Sequence, residues 1–171
     1  GDSTNVAWTI DIHLDAQGHP YIAYMVQKDQ DPSNMMYRYA RWDGDKWNDY
    51  FLALAGSALY PREAHYTGLV ALDPGNPNVV YISTDVNPVT GVELISRTDN
   101  KRHYEIFKGT SDNNGNEWAW KMVTRDSDAD NIRPIMPISD GESNVLLWLK
   151  GTYHTYVEYN LDVVGIIETE K

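Results

Sequence analysis

The feature that most constrains this chain is a plan used three times over. A strand-like segment, a tight turn and a second strand-like segment recur in units of about 60 residues. In the first unit residues 7–14 (A-W-T-I-D-I-H-L) meet the turn formers Asp15, Ala16, Gln17 and Gly18 and return along residues 21–26. In the second, residues 66–72 turn through Asp73-Pro74-Gly75-Asn76 and return along 79–83; in the third, 132–138 turn at Ser139-Asp140-Gly141 and return along 145–149. Helical periodicity is nearly absent, and Gly, Pro, Asn and Asp punctuate short alternating runs.

Each unit then adds a second pair of strands. In the first, a polar loop at 27–34 leads to 36–41, an Asp43-Gly44 turn and 47–54. In the second, a long connection at 84–102 precedes 104–108 and 118–124, which flank the turn formers Asn113, Asn114 and Gly115. In the third, 155–159 is expected to pair with 163–167. The returning strands I-A-Y, V-V-Y-I and V-L-L-W are apolar on both faces, as strands between neighbouring sheets must be. The fold class expected is all-β: three four-stranded antiparallel blades, about 5–60, 61–130 and 131–171, of an incomplete β-propeller spanning residues 1–171. An up-and-down barrel or a sandwich would use the same strands without demanding the repeat. About four to eight blades close such a ring, and an open one exposes two apolar faces. The expectation is therefore the C-terminal part of a longer propeller, cut near Gly1-Asp2-Ser3, or a ring completed by another chain.

Residues 111–118 read S-D-N-N-G-N-E-W. This octet resembles the Asp-box of BNR-repeat β-propellers, Ser-x-Asp-x-Gly-x-Thr-Trp, with Ser111, Gly115 and Trp118 in place, Asn113 where the family has Asp and Glu117 where it has Thr. A shortened echo, R-W-D-G-D-K-W at 41–47, repeats the Gly-x-x-Trp at Gly44 and Trp47. The stretches Y-R-Y-A-R-W-D-G-D-K-W (37–47), H-Y-T-G-L (65–69), N-I-R-P-I (131–135) and W-L-K-G-T-Y (148–153) look like closing blades of the same family. The resemblance implies a secreted, periplasmic or cell-surface bacterial protein related to polysaccharide lyases and glycoside hydrolases, and gives the octet a structural rather than catalytic part. Fold alone does not fix function, so a non-catalytic glycan-binding or scaffold propeller stands beside the enzyme reading.

Composition narrows the partners. A formal net charge of −11 argues against nucleic acid, whose phosphates call for clustered Lys and Arg. No run of about 18 apolar residues exists to span a membrane. There is no Cys, hence no disulfide or thiolate metal site. Twelve Tyr and six Trp against two Phe suit a sheet protein that presents amphipathic rings to a polar partner such as carbohydrate, expected to be anionic.

Topology gathers the A–B and C–D turns at one end and the longer loops (27–34, 55–65, 84–102, 124–133 and 150–154) at the other. On that loop face Tyr60, Arg62, His65 and Tyr66, from Y-P-R-E-A-H-Y, hold what a β-eliminating lyase needs: a cation for the uronate, then a base and an acid. The bland alternative pairs Arg62 with Glu63 and leaves His65 capping a strand. Arg133 opens the innermost strand of the third blade, opposite Thr67 and Thr9, and either meets an anion in the central channel or bonds neighbouring carbonyls. Arg62, His65, Tyr66 and Arg133 are the catalytic candidates; Tyr60, His13, Arg97 and Arg102 are the substrate-binding ones. His13 shares a face with Asp11, which suits an acid/base unit and, better, a buried structural bond. The basic run at 97–103 either attracts a polyanion or is a solvated loop. The alternating acids Asp126, Asp128 and Asp130 suggest calcium weakly, since the Gly and Glu of an EF-hand are missing; no metal or cofactor is otherwise expected. Sialidase roles for Arg62, Arg97, Arg133, Tyr153 and Glu158 find no spacing to select them.

Overall fold

A computed structural model describes residues 4–31, 33–60, 66–138 and 143–169. Eleven strands among them form three antiparallel sheets. Sheet 1 is β1 (Val6–Leu14), β2 (Pro20–Gln27), β3 (Met35–Trp42) and β4 (Trp47–Leu54), and sheet 2 is β5 (Val70–Leu72), β6 (Val79–Thr84), β7 (Glu105–Thr110) and β8 (Ala119–Met122). Sheet 3 is β9 (Asp130–Ile135), β10 (Ser143–Thr155) and β11 (Glu158–Thr169). Every strand pairs with its neighbours in sequence, so each sheet is a meander, as the repeat predicts. Among the described residues no helix is long and apolar enough to cross a membrane.

The third sheet corrects the expected strand count. It has three strands, not four, because β10 continues through 150–154 where a loop was expected. Residues 163–167 are part of β11 and pair with β10, Val163 opposite Leu149 and Ile167 opposite Val145. The one turn former in the stretch, Gly151, is needed for a close approach instead: a Cβ there would lie 2.0 Å from the Asn160 carbonyl oxygen. Thr152, Tyr153 and Thr155 favour extended backbone, and the chain turns only at Tyr156-Val157.

The sheets stack in chain order over two cores. Tyr21, Met25, Tyr37, Tyr39 and Leu52 of sheet 1 meet Leu72, Val80, Ile82 and Phe107 of sheet 2. Ala71, Tyr81 and Ile106 on the other side of sheet 2 meet Met136, Leu146 and Trp148 of sheet 3. Strand β6 is therefore buried on both faces, which explains its unbroken apolar run. Tyrosine content predicts exposed stacking rings, yet Tyr21, Tyr37 and Tyr39 are fully buried rivets. Tyr21 donates to the Asp73 carbonyl (2.6 Å), Tyr39 to that of Pro77 (2.7 Å), and Tyr37 shares its proton between Thr67 Oγ1 (2.8 Å) and the Ser83 carbonyl (2.9 Å). A buried hydroxyl without an acceptor would cost about 1–3 kcal/mol, so each ring ties sheet 1 to sheet 2 at a fixed register. Burial, then the nearby Asp73, pushes the Tyr21 pKa up to about 12.

The outward faces of the stack expose apolar side chains, on sheet 1 beside the ion pair Arg38–Asp49 (2.9 Å). Ile12, Trp47 and Phe51 stand on the far side of sheet 1, and Ile135, Val163 and Ile167 on the far side of sheet 3.

Candidate functional site

The innermost strands of sheets 2 and 3 are stitched at their seam. Asn131 N–H donates to the Tyr104 carbonyl (3.0 Å) and Arg133 N–H to that of Gly68 (2.8 Å). Asn131 is buried and spent on structure: Trp148 Nε1 donates to its Oδ1 (2.8 Å), and its Nδ2 donates to Ser127 Oγ (2.9 Å). Two residues on, the β9–β10 register slips between the pairs Leu149–Ile132 and Leu147–Ile135. Arg133 sits in that slip with φ +54, followed by Pro134, which has no N–H to offer the ladder. Bulges of this kind re-aim a side chain, and a non-glycine residue held at positive φ stores about 1–3 kcal/mol.

The re-aimed guanidinium lies 5.8 Å from the Tyr66 ring centroid and 5.6 Å from that of Tyr153. Its Nε is buried and finds no acceptor among the described residues. Cation–π attraction to two rings offsets part of the desolvation, but an orphaned charged donor still costs more than a satisfied one. A carboxylate or sulfate would supply the missing acceptor, in the bidentate geometry a guanidinium favours. Tyr66 is 45 % exposed, so one wall of the site opens to solvent. The segment before it is held close: Leu59 N–H donates to the Tyr66 carbonyl (2.7 Å), which keeps the half-buried Tyr60 within one residue of that stitch.

Of the candidates read from sequence, the structure brings Tyr66 and Arg133 together, while Arg62 and His65 lie outside the described residues. Apart from Tyr60, the remaining three are engaged with carboxylates. Arg97 grips Asp126 (Nε–Oδ2 3.0 Å), and its guanidinium holds the Asp126 carboxyl below the usual range. Arg102 binds the buried Asp85 (2.8 Å) and Glu93 (2.8 Å). His13 is 3.4 Å from Asp11, on the same face as expected, and Asp11 Oδ2 accepts from Leu72 N–H (2.9 Å), so that pair joins sheet 1 to sheet 2.

The three alternating acids divide among three cations: Asp126 to Arg97, Asp128 to Lys150 (2.8 Å), Asp130 to His103 (3.2 Å). No group of three or more His, Cys, Asp or Glu side chains among the described residues could hold a metal ion. His103 also reaches Asp99 (3.0 Å), clamping the 96–103 loop to the start of β9. Burial disfavours charge on that imidazole, yet its bonds to Asp99 and Asp130 prevail and hold its pKa above the ordinary value.

The octet at 111–118 closes on itself and then on sheet 1. Ser111 Oγ accepts from Gly115 N–H (2.9 Å), Asn113 Oδ1 from Glu117 N–H (2.9 Å), and Trp118 Nε1 donates to the Gly115 carbonyl (2.9 Å). Trp118 meets Tyr39 edge-on at 5.3 Å. Its tip residue Asn114 accepts from Arg41 (3.1 Å), whose other nitrogen holds the buried Asp15 (2.9 Å). The octet is thus a structural plug.

Tyr153 is the second aromatic wall beside Arg133, on β10 where the sequence pattern predicts a loop. Alternating β-formers from Ser143 to Thr155 were the available signal. No protein-family model and no curated protein sequence matches this chain.

Proposed function

We propose that the chain supplies blades of an Asp-box β-propeller from a secreted glycan-processing protein, and that Arg133 takes a carboxylate of an acidic polysaccharide between Tyr66 and Tyr153. The observation that carries this reading is an aromatic-walled guanidinium in a strained bulge whose buried Nε has no acceptor among the described residues. Consecutive meanders stacked face to face, with the octet docked on the preceding sheet, support the propeller. The exposed apolar faces at both ends of the stack support further blades, in the same chain or another.

In a β-elimination, proton removal next to the uronate carboxylate builds negative charge on that group. Arg133 would neutralise it, which is the term that most lowers such a barrier. Tyr66, the exposed ring beside it, is the group placed to pass a proton, with His65 and Arg62 as its sequence neighbours. A second reading, binding without turnover, draws on the same two rings, since tyrosine faces stack on sugars whether or not a bond is cut.

Assays of unsaturated product on uronate-containing polysaccharides separate the two. Turnover lost in Tyr66→Phe with affinity intact supports the lyase. Affinity with no product from wild type on any uronate polymer supports the binding module, and neither affinity nor product removes the glycan reading altogether.

A further inference from the structure

A second cavity, away from Arg133, opens between sheets 2 and 3. Tyr81 of β6, Lys108 of β7 and Lys121 of β8 are register partners, so the three form a row across sheet 2 that faces it. Its volume is about 250 Å³, room for roughly eight water molecules at about 30 Å³ each. The facing wall sets apolar Met136, Leu146 and Ile166 beside polar Asn144 and the carboxylate Glu168.

Two facts about this cavity lack a structural reason. Lys108 and Lys121 stand directly opposite each other, and like charges so placed destabilise a sheet. Neither forms an ion pair with any described residue, although the chain carries 25 acidic side chains against 14 basic ones. The acid nearest in the lining, Glu168, pairs with neither lysine. Among the described residues the Tyr81 ring lies 5.6 Å from the ammonium of the half-buried Lys108, while Lys121 is exposed to solvent.

We propose that this cavity binds a small amphipathic monoanion, a short-chain alkyl carboxylate. Its carboxylate bridges Lys108 and Lys121, and its tail lies against Met136, Leu146 and Ile166. A neutral ligand would leave the two ammonium groups uncompensated, and an inorganic anion would leave the apolar wall uncovered. The site is separate from the Arg133 site and does not depend on the glycan reading.

Isothermal titration with hexanoate, acetate and inorganic sulfate tests it. Hexanoate is expected to bind once per chain, with acetate and sulfate at least tenfold weaker. Lys108→Gln and Lys121→Gln should each weaken hexanoate at least tenfold, whereas Arg133→Gly should leave it unchanged. Lys121→Glu turns a repelling pair into an attracting one, so it should raise the thermal midpoint while abolishing hexanoate binding. No hexanoate binding by wild type at millimolar concentration, equal affinity for sulfate, or affinity indifferent to both lysines would overturn the proposal.

Discussion

Arg41 and Arg133 are both half-buried arginines on strands, and their surroundings are opposites. Arg41 spends its guanidinium on Asp15 and on Asn114 at the octet's tip, both at hydrogen-bond distance. Asp15 is only 3 % exposed at its side chain. Burial works to raise its pKa, but the bonds from Arg41, His19 and Gln17 prevail and hold it below the usual carboxylate range. Arg133 has two rings and, among the described residues, no acceptor for Nε, on a backbone held at positive φ. A saturated arginine is cement between sheets. On the proposed reading, an unsaturated one, kept in place at a cost in strain, takes its acceptor from a ligand.

Substitutions can break this contrast, and the largest effect belongs to Arg133. Arg133→Gly is expected to weaken affinity for a uronate polysaccharide on the order of 100-fold by removing a charge-assisted pair. It should also raise unfolding free energy by about 1 kcal/mol, since glycine adopts φ +54 without strain. Chemical denaturation checks the second half, and a destabilised variant would mean the bulge serves packing.

Arg41→Ala should do the reverse. Leaving Asp15 buried and unpaired costs on the order of 3 kcal/mol, with polysaccharide affinity unchanged, by denaturation and titration on the same protein. Gly115→Ala probes the plug itself. Its Cβ would meet the Tyr39 ring at 2.5 Å, at φ +91, and the expected loss is about 2 kcal/mol. A neutral outcome would show that the octet is not held against sheet 1.

The smallest effect is electrostatic and sharpens the picture at the loop end. His103 has a raised folded pKa, so its clamp is fully present below the unfolded value of about 6.5 and is lost as pH rises through the folded one. Asp99, lowered chiefly by its bond from His103, contributes above its ordinary value and loses that contribution as pH falls through the depressed one. Thermal midpoints should therefore decline from mildly acidic to mildly alkaline pH in wild type, and His103→Gln should flatten that slope.

The sheets were legible because their strands alternate and their turns carry Asn, Asp and Gly, as at Asp43-Gly44 and Asn114-Gly115. Sheet 3 departs from the expected loop at 150–154 because that stretch is strand, and the missing side chain of Gly151 serves the close approach of the neighbouring strand. Arg133 was expected beside Thr67 from register, and its backbone N–H meets the Gly68 carbonyl, next to that partner. Its isolation was not recognisable, since it depends on a bulge that no local pattern encodes and on Tyr153 arriving from another strand. The pairing of Arg97 and Arg102 with Asp126 and Asp85 was equally hidden, because those partners lie 29 and 17 residues away. Tyrosine content pointed to exposed stacking surfaces, while Tyr21, Tyr37 and Tyr39 proved to be rivets; hydroxyl partners, not ring count, separate the two uses.

The most direct measurement is calorimetric titration of polygalacturonate into wild type and Arg133→Gly at low and at raised salt. Saturable binding by wild type that weakens with salt, and its loss in a variant at least as stable, is the predicted result. Equal affinity in the two proteins would contradict it.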